Sequence, residues 1–185
     1  MLLKSLIEGL ILGILLIGIC AFGIRNGAVG MVHLYHQDVK DRCVEQGLAT
    51  HEKINKNGKL FKIICVTGYI IYILVCVYAI NGAENFLSGF WQMFVILSVM
   101  NLIDRILVDN LWVGHTSAWT IPETEEFKPY ITHKDKIKKW LMGTIGMAVI
   151  SAALSGIASF IRFGVKTCYT QLNLQSMFNI RIPII

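Results

Sequence analysis

The sequence predicts an all-α integral membrane bundle of four transmembrane helices with an amphipathic cytoplasmic helix. Of its 185 residues, 55% are hydrophobic and only 16% are charged, and the mean hydropathy of +0.59 lies far above the usage of soluble domains. The apolar residues are concentrated in four stretches, each about long enough to cross a hydrocarbon core as a helix. No stretch alternates like a barrel strand, so helices are the spanning structure that satisfies the backbone. The predicted spans are residues 5–24, 63–80, 86–108 and 140–161.

The first span also has features of a cleavable secretory signal. Lys4 precedes an apolar core at 9–22, and residues 21–23 (AFG) loosely match a small-x-small cleavage site. We favour a retained span, in which Gly9 and Gly13 form a Gly-x-x-x-Gly face that lets another helix approach closely.

The basic residues of the loops predict the orientation. Segment 25–62 contains seven lysines and arginines, segment 109–139 contains five, and the turn 81–85 (NGAEN) contains none. The chain is therefore expected to lie in the cell membrane with both basic loops on the cytoplasmic side and both chain ends on the outside. The three basic residues in 162–185 oppose this arrangement mildly. The net charge of +5 is assigned to this bias and to contact with anionic lipid heads, and not to nucleic acid.

Residues 1–161 are predicted to form a single transmembrane domain, and 162–185 a tail that has no assigned function. In the first loop a helix is predicted over residues 29–46, ended by Gly47. Its apolar stripe has helical spacing, so it either lies on the membrane surface or extends the first span. That stripe consists of Val32, Tyr35, Val39 and Cys43.

Thr50 is then expected to cap a second short helix, which Asn57-Gly58 interrupts before the second span. Two spans have faces that predict contact with other helices, because buried tyrosine hydroxyls need partners and small residues allow close approach. For the second span, the alternative to helix packing is a groove that binds a ligand. For the fourth span, the alternative to packing within the chain is packing between two chains. The face of the second span is Cys65, Tyr69, Tyr72 and Cys76. The two rows of the fourth span are Thr144, Ala148, Ala152 and Gly156, and Ser151, Ser155 and Ser159.

The main candidate site is a polar cluster at the end of the third span, in NLIDRILVDNLWVGH, residues 101–115. Arg105 and Asp109 are one helical turn apart, and ionised groups in hydrocarbon are costly unless they are paired. We therefore expect these two side chains to form an ion pair at the cytoplasmic boundary. The cluster is then either an interface anchor or a substrate or ion site. Its candidate residues are Asn101, Asp104, Arg105, Asp109, Trp112 and His115.

The segment after the cluster is aromatic-rich, then acidic, then basic. Pro122 and Pro129 end any helix, so the segment is expected to fold back over the cytoplasmic mouth of the bundle. Histidines of the first loop would then approach the polar cluster and the glutamates that follow Pro122. Those histidines are His33, His36 and His51.

Other chemistries have weaker support. His33 and His36 are spaced to share one metal ion, but no full ligand set accompanies them, so no metal site is assigned. The hypothesis of a haem bound by two histidines has still less support, and the sequence identifies no particular cofactor. Cys43 has no base nearby in sequence that could activate it as a nucleophile. The sequence also lacks the fingerprints of phosphate loops, dinucleotide sites and serine hydrolases. The five cysteines lack any paired spacing and indicate neither a zinc ribbon nor a disulfide framework.

Two stretches resemble a known family. VDNLWVGHTSAWTIPETEE, from Val108 to Glu126, and DVKDRCVEQGL, residues 38–48, are similar to an uncharacterised small multi-pass membrane protein family of Gram-positive-type bacteria. The resemblance covers most of the chain up to about Ile157 and leaves out the tail. It implies a bacterial membrane protein. That family has no assigned activity, so the resemblance supplies no functional residues.

Two function hypotheses follow. The first is a small transport or complex-subunit component, with the lipid bilayer and a second copy or a larger membrane complex as its partners. The alternative is a membrane-embedded enzyme acting on a lipid or quinone-like substrate at the cytoplasmic face. A water-accessible cavity that reaches Asp109 and His115 would favour a working site. Arg105 bonded to Asp109 without a cavity would favour an anchor.

Overall fold

The structure is a computed structural model that describes the backbone of residues 1–179 and the side chains of residues 1–164. In this part of the chain there are five α-helices and no strand. They are α1 (Leu2–Ile24), α2 (Gln37–Glu45), α3 (His51–Leu74), α4 (Phe86–Ile103) and α5 (His133–Asn179). Helices α3 and α4 each continue into a wider π-helical segment, Val75–Ile80 and Asp104–Val113 respectively.

Four helical stretches are long and apolar enough to cross a membrane, which confirms the predicted all-α membrane bundle. They are Leu2–Ile24, His51–Ile80, Phe86–Val113 and His133–Gly164. Segments 25–50 and 114–132 lie at one end of the bundle, here named the loop side. The short connection 81–85 lies at the other end, the turn side.

Helix α1 packs closely along α4. A Cβ atom added at Gly9 would lie 2.9 Å from the carbonyl oxygen of Ile96, and one added at Gly13 would collide with the side chain of Ile103. The predicted Gly-x-x-x-Gly face is therefore a real contact surface, where dispersion between closely packed backbones holds the helices together.

Helix α5 packs along the other side of α4. Ser151 and Ser155 are fully buried, and the Ser155 hydroxyl donates to the carbonyl oxygen of Phe86 at 2.6 Å. Ser151 and Ser155 of the serine row thus serve packing within the chain, as expected, whereas Thr144 of the other row is exposed. Most of α5 remains uncovered, with only 11% of its spanning window buried.

Helix α3 joins the bundle mainly on the turn side. Its Tyr72 hydroxyl donates to the carbonyl oxygen of Glu8 at 2.9 Å, and Val75–Ile80 packs against α4. On the loop side α3 contacts α2 and the 3-10 turn Ala28–Leu34, and it makes hardly any contact with the described part of α5. The loop-side half of the bundle is consequently open between α3 and α5.

The helix predicted over residues 29–46 is wrong as one element. The chain forms the 3-10 turn Ala28–Leu34, becomes extended at Tyr35 and His36, and enters α2 at Gln37. The break places the Tyr35 hydroxyl against the carbonyl oxygen of Trp119, to which it donates at 2.5 Å. The predicted apolar stripe is nevertheless buried at all four of its positions, beneath neighbouring protein segments.

The interruption predicted at Asn57-Gly58 is also wrong, because α3 runs unbroken from its start to Leu74. Thr50 caps it as expected, accepting from the backbone nitrogen of Lys53 at 3.3 Å. A Cβ at Gly58 would lie 3.3 Å from the Cβ of His33. The glycine thus provides room for the 3-10 turn, at a helix-propensity cost of about 1 kcal/mol.

The residues predicted as a tail begin inside α5. The helix passes Ile161, the predicted end of the domain, and continues to Asn179. Residues 180–185 lie outside the described part of the chain.

The α1–α4 contact predicts that an added methyl group destabilises the protein at one glycine of α1 and not at another. Gly9→Ala should lower the free energy of unfolding by about 1–3 kcal/mol, because the added methyl group meets the α4 backbone. Gly18→Ala is the matched control, since nothing lies within 4 Å of a Cβ there. Thermal melts in mild detergent check both variants. Equal melting temperatures for the two would show that α1 does not pack closely on α4.

Candidate functional site

The polar cluster lies in the π-helical segment Asp104–Val113. In an α-helix, residues five apart point in different directions. Hydrogen bonds of a π-helix run from residue i to i+5, so residues five apart lie much closer to one face than they do in an α-helix. Asp104 and Asp109 are therefore brought onto the same face of α4, and both line one cavity.

This cavity has a volume of about 690 Å³ and is bounded by α1, α3, α4 and α5. Apolar side chains form most of its wall, chiefly Leu16, Phe61, Met100, Val108, Met142 and Met147. The polar groups inside it are Cys20, Cys65, Tyr69, Asn101, Asp104 and Asp109. Residues of the loop side cover it or line its mouth, namely Leu34, Tyr35, His36, Trp119, Tyr130, Ile131, Asp135, Lys138 and Lys139.

The predicted ion pair between Arg105 and Asp109 is wrong. The carboxylate of Asp109 pairs with Lys139 of α5, with 2.7 Å between Oδ2 and Nζ. Arg105 donates to the backbone oxygen of Lys139, and its guanidinium lies 4.6 Å from the ring centre of Trp140. Both residues are buried, Arg105 at 7% exposure and Asp109 at 8%. Both charges therefore connect α4 to α5 and not to each other.

Arg105 does not line the large cavity. It lies at a smaller one of about 180 Å³ with Trp140 and Lys136. The side chain fits because Gly143 of α5 has no Cβ, and one added there would collide with the guanidinium. Arg105 thus points away from the cavity that holds Asp104 and Asp109.

Asp104 is half-buried in the cavity wall and forms no hydrogen bond or ion pair within the described residues. The Tyr69 hydroxyl, whose residue also lines the cavity, is buried without a geometric hydrogen bond, and the thiol of Cys65 lies beside it. Within the described residues, a carboxylate without an ion pair and a hydroxyl without a geometric hydrogen bond therefore lie at a mainly apolar cavity, where they provide hydrogen-bonding groups for a bound molecule.

The other predicted candidates are distributed over different places. Asn101 lines the large cavity. Trp112 packs edge-to-face against Trp119, with ring centres 5.5 Å apart. His115 is exposed, and its Nδ1 lies 2.7 Å from the backbone oxygen of Asn110. The cavity therefore reaches Asp109 but not His115.

The histidines of the first loop do not gather around the cluster. His36 pairs with Asp135 at the cavity mouth, at 3.2 Å, and His51 lies 3.9 Å from Asp41. His33 packs against Phe61 with ring centres 5.0 Å apart. Burial lowers the pKa of His33 below its ordinary value, and Lys40 and Lys62 lower it further. His33 and His36, the two weak metal candidates, thus have different partners.

The segment after the cluster folds back over the bundle, as expected. Trp119 and Ile121 are buried, and the rings of Tyr35 and Tyr130 pack edge-to-face at 5.0 Å. Burial raises the pKa of Tyr35, with Tyr130 and Cys43 adding to the effect. Tyr35 therefore keeps its proton and holds Trp119 in place.

Polar contacts also join the two loop-side segments. Arg42 of α2 pairs with Glu126, which raises the pKa of the guanidinium. Gln46 donates to the Glu123 carboxylate at 2.8 Å. The segments together form a roof over the cavity, and its shape follows from contacts between them.

Sequence reasoning missed two residues of this arrangement. From the sequence, Lys139 contributes only to the predicted orientation. Its contact with Asp109 could not be predicted, because the two residues are 30 positions apart and lie on different helices. Glu8 is the lone acidic residue of the first span, and an ionisable group at that depth is by default a candidate for function. It is almost fully buried and accepts two hydrogen bonds from Asn81, at 2.9 and 3.0 Å.

Comparisons of the chain with protein-family models, with curated proteins and with solved structures find no match. The resemblance to a bacterial family of small membrane proteins therefore stays a prediction.

The Asp109–Lys139 pair predicts a non-additive mutant cycle. Lys139→Met should cost about 1–2 kcal/mol, between the limits for exposed and buried pairs, because Lys139 is half exposed while Asp109 is not. Adding Asp109→Asn should recover part of that loss. Thermal melts in detergent measure the cycle, with Lys138→Met, a change of the same kind on an exposed neighbour, as the control. If the stability losses of the two single variants simply add in the double variant, Asp109 and Lys139 do not form an ion pair.

Proposed function

We propose that the protein is a small membrane transport or complex-subunit component that binds an amphipathic molecule in the large cavity. The observation that supports this most is the Asp104 carboxylate, which forms no ion pair or hydrogen bond with the described residues and lies at a mainly apolar cavity of about 690 Å³. Binding sites for small molecules have volumes of roughly 300–1,000 Å³, mostly apolar walls and a few convergent polar groups. An interface anchor would need its charges paired, but it would need no cavity.

The closed turn side supports a carrier that is open toward its loop side. Between the cavity and the turn side lies a tightly packed core whose side chains are at most 1% exposed, namely Leu12, Ile73, Val77, Met93 and Ile96. Beyond it, Asn81 binds Glu8, and Arg162 donates to the backbone oxygen of Ala83. A molecule in the cavity would therefore leave toward the loop side or sideways between α3 and α5.

Four spans are few for a self-contained transporter, so we propose that the chain acts as a dimer or within a larger membrane complex. The largely uncovered apolar surface of α5 is consistent with such a partner. We further propose that the protein lies in a bacterial cell membrane with its loop side cytoplasmic. The positive-inside distribution of lysines and arginines supports this orientation.

The enzyme hypothesis has one observation in its favour, the His36–Asp135 pair at the cavity mouth. A histidine oriented by a carboxylate is a common general base. Within the described residues, however, no serine or cysteine is hydrogen-bonded to His36. Binding and transport are therefore the function that the geometry supports best.

Filling the cavity should abolish binding. Cys65→Phe places a ring inside the cavity, since Cys65 is buried and lines it, whereas Val66→Phe places the same ring on the exposed outer face of α3. After incubation with an extract of cell membranes, native mass spectrometry should show a bound small molecule on the wild type and on Val66→Phe, but at least about tenfold less on Cys65→Phe. The same spectra report the oligomeric state.

Both variants should melt within a few degrees of the wild type, which separates lost binding from unfolding. Equal amounts of adduct on all three chains would contradict binding in this cavity. A bound molecule whose mass changes on incubation would favour the enzyme hypothesis instead.

The orientation is tested by labelling intact cells with a membrane-impermeant maleimide. Lys56 and Glu84 are exposed on opposite sides of the bundle, and α3 is long enough for its first turns to leave the hydrocarbon. Glu84→Cys should react and Lys56→Cys should not, with the wild-type chain as baseline. The reverse pattern would show that the loop side is outside.

A further inference from the structure

We infer that the ligand of the large cavity is a monovalent organic cation with an apolar body, held by the Asp104 carboxylate among aromatic rings. This inference rests on the proposed binding function and names the chemical class of the ligand. It depends on the charges in the cavity, on the rings around them and on the scarcity of metal ligands.

Among the described residues, one carboxylate inside the cavity forms no ion pair. Asp109 pairs with Lys139, and Asp135, at the mouth, accepts hydrogen bonds from Thr132 and lies 3.2 Å from His36. Lys138 is exposed at the mouth, where water solvates it. Arg105 is directed toward α5 and the smaller cavity. Asp104 is therefore the charge inside the cavity that has no direct ion pair or hydrogen bond among the described residues, and Lys139 and Arg105 attract it without touching it.

The surroundings of Asp104 make a cation the favourable ligand. Most of the cavity wall is apolar, so the carboxylate has few protein dipoles to replace its hydration, and a positive charge beside it gains more attraction than in water. An anion would meet repulsion from Asp104. Among the described residues that line the cavity, the basic groups are Lys138, exposed at the mouth, Lys139, already paired with Asp109, and His36, beside Asp135 at the mouth. A neutral molecule would leave the carboxylate as costly as before.

Aromatic rings add a second attraction for a positive charge. Five of them line the cavity or its roof: Tyr35, Phe61, Tyr69, Trp119 and Tyr130. The electron-rich faces of such rings attract organic ammonium groups, by about 0.5–2 kcal/mol for each favourable contact. The same rings and the methionine side chains suit an apolar body attached to the charge.

A bare metal ion fits the cavity less well. Within the described residues, no three histidine, cysteine, aspartate or glutamate side chains are placed to hold one ion. The cavity is also much larger than a metal ion and its ligands need. One carboxylate, several rings and an apolar space are instead the groups that recognise an organic cation.

The experiment uses three probes of similar shape and different charge. These are methyltriphenylphosphonium, which is positive, triphenylphosphine oxide, which is neutral, and tetraphenylborate, which is negative. The full chain is placed in nanodiscs of phosphatidylcholine, and binding is measured by equilibrium dialysis, with empty nanodiscs subtracted. The wild type should bind the cation at least about tenfold more tightly than either other probe.

Asp104→Asn removes the charge with little change of shape and should weaken binding of the cation at least about tenfold. It should leave binding of the neutral probe unchanged. Asp104→Glu keeps the charge and should retain much of the preference for the cation. Asp38→Asn, the same substitution at an exposed position outside the cavity, should behave like the wild type.

The outcomes separate this inference from the function on which it rests. Equal binding of the cation and the neutral probe, or tighter binding of tetraphenylborate, by the wild type overturns the inference and leaves a binding cavity in place. Cation binding that survives Asp104→Asn overturns it as well. If none of the three probes binds the wild type, the proposed function fails together with the inference. The wild-type comparison needs no variant, so it decides even if Asp104→Asn does not fold.

Discussion

The loop-side end of the bundle depends on the contacts of one residue, Lys139. Its ammonium group pairs with Asp109, and its backbone oxygen accepts from Arg105, so α4 and α5 are joined twice at the same place. Lys136 adds a further bond to Asn110, at 2.8 Å. Arg105 and Asp109 are buried, so breaking the contacts would leave their charges buried and unpaired. The relative position of α4 and α5 follows from this.

The cavity is a consequence of where the other helices are held. Helix α1 is fixed to α4 by the close contact at Gly9 and Gly13. Helix α3 is attached on the turn side, by Tyr72 and Asn81 to Glu8. No comparable polar contact joins α3 to α4 or α5 on the loop side within the described residues. The space that remains there is covered by the roof. The two segments that form this roof are far apart in the sequence.

Much of the fold could be predicted from the sequence, because hydropathy and small-residue spacing act locally along a helix. The four spans, the glycine face of α1 and the serine row of α5 depend on this kind of pattern. The break at Tyr35 could not be predicted, because it depends on a hydrogen bond to Trp119, 84 positions away. Asn57-Gly58 suggested a turn, but the packing of α3 against the turn Ala28–Leu34 keeps the helix intact.

The charged side chains of residues 101–115 have other partners than the sequence predicts, for reasons of helix type and of contacts with α5. Predicting a pair between Arg105 and Asp109 assumed α-helical spacing, in which residues four apart are neighbours. The chain adopts π-helical spacing from Asp104 to Val113. That spacing brings Asp104 and Asp109 closer to one face, while contacts with the backbone oxygen of Lys139 and the ring of Trp140 hold Arg105 against α5. No local sequence pattern announces such a change.

The same change of helix type explains why one charge remains free. Two carboxylates on one face of α4 approach a single ammonium group, that of Lys139, and Asp109 takes it. A side chain on α3 could in principle have matched Asp104, but those that line the cavity are Phe61, Cys65 and Tyr69. Their chemistry neither neutralises a carboxylate nor excludes a positively charged ligand. The bundle thus tolerates a costly group at the place where a bound cation would stabilise it, and strain of this kind is common at functional sites.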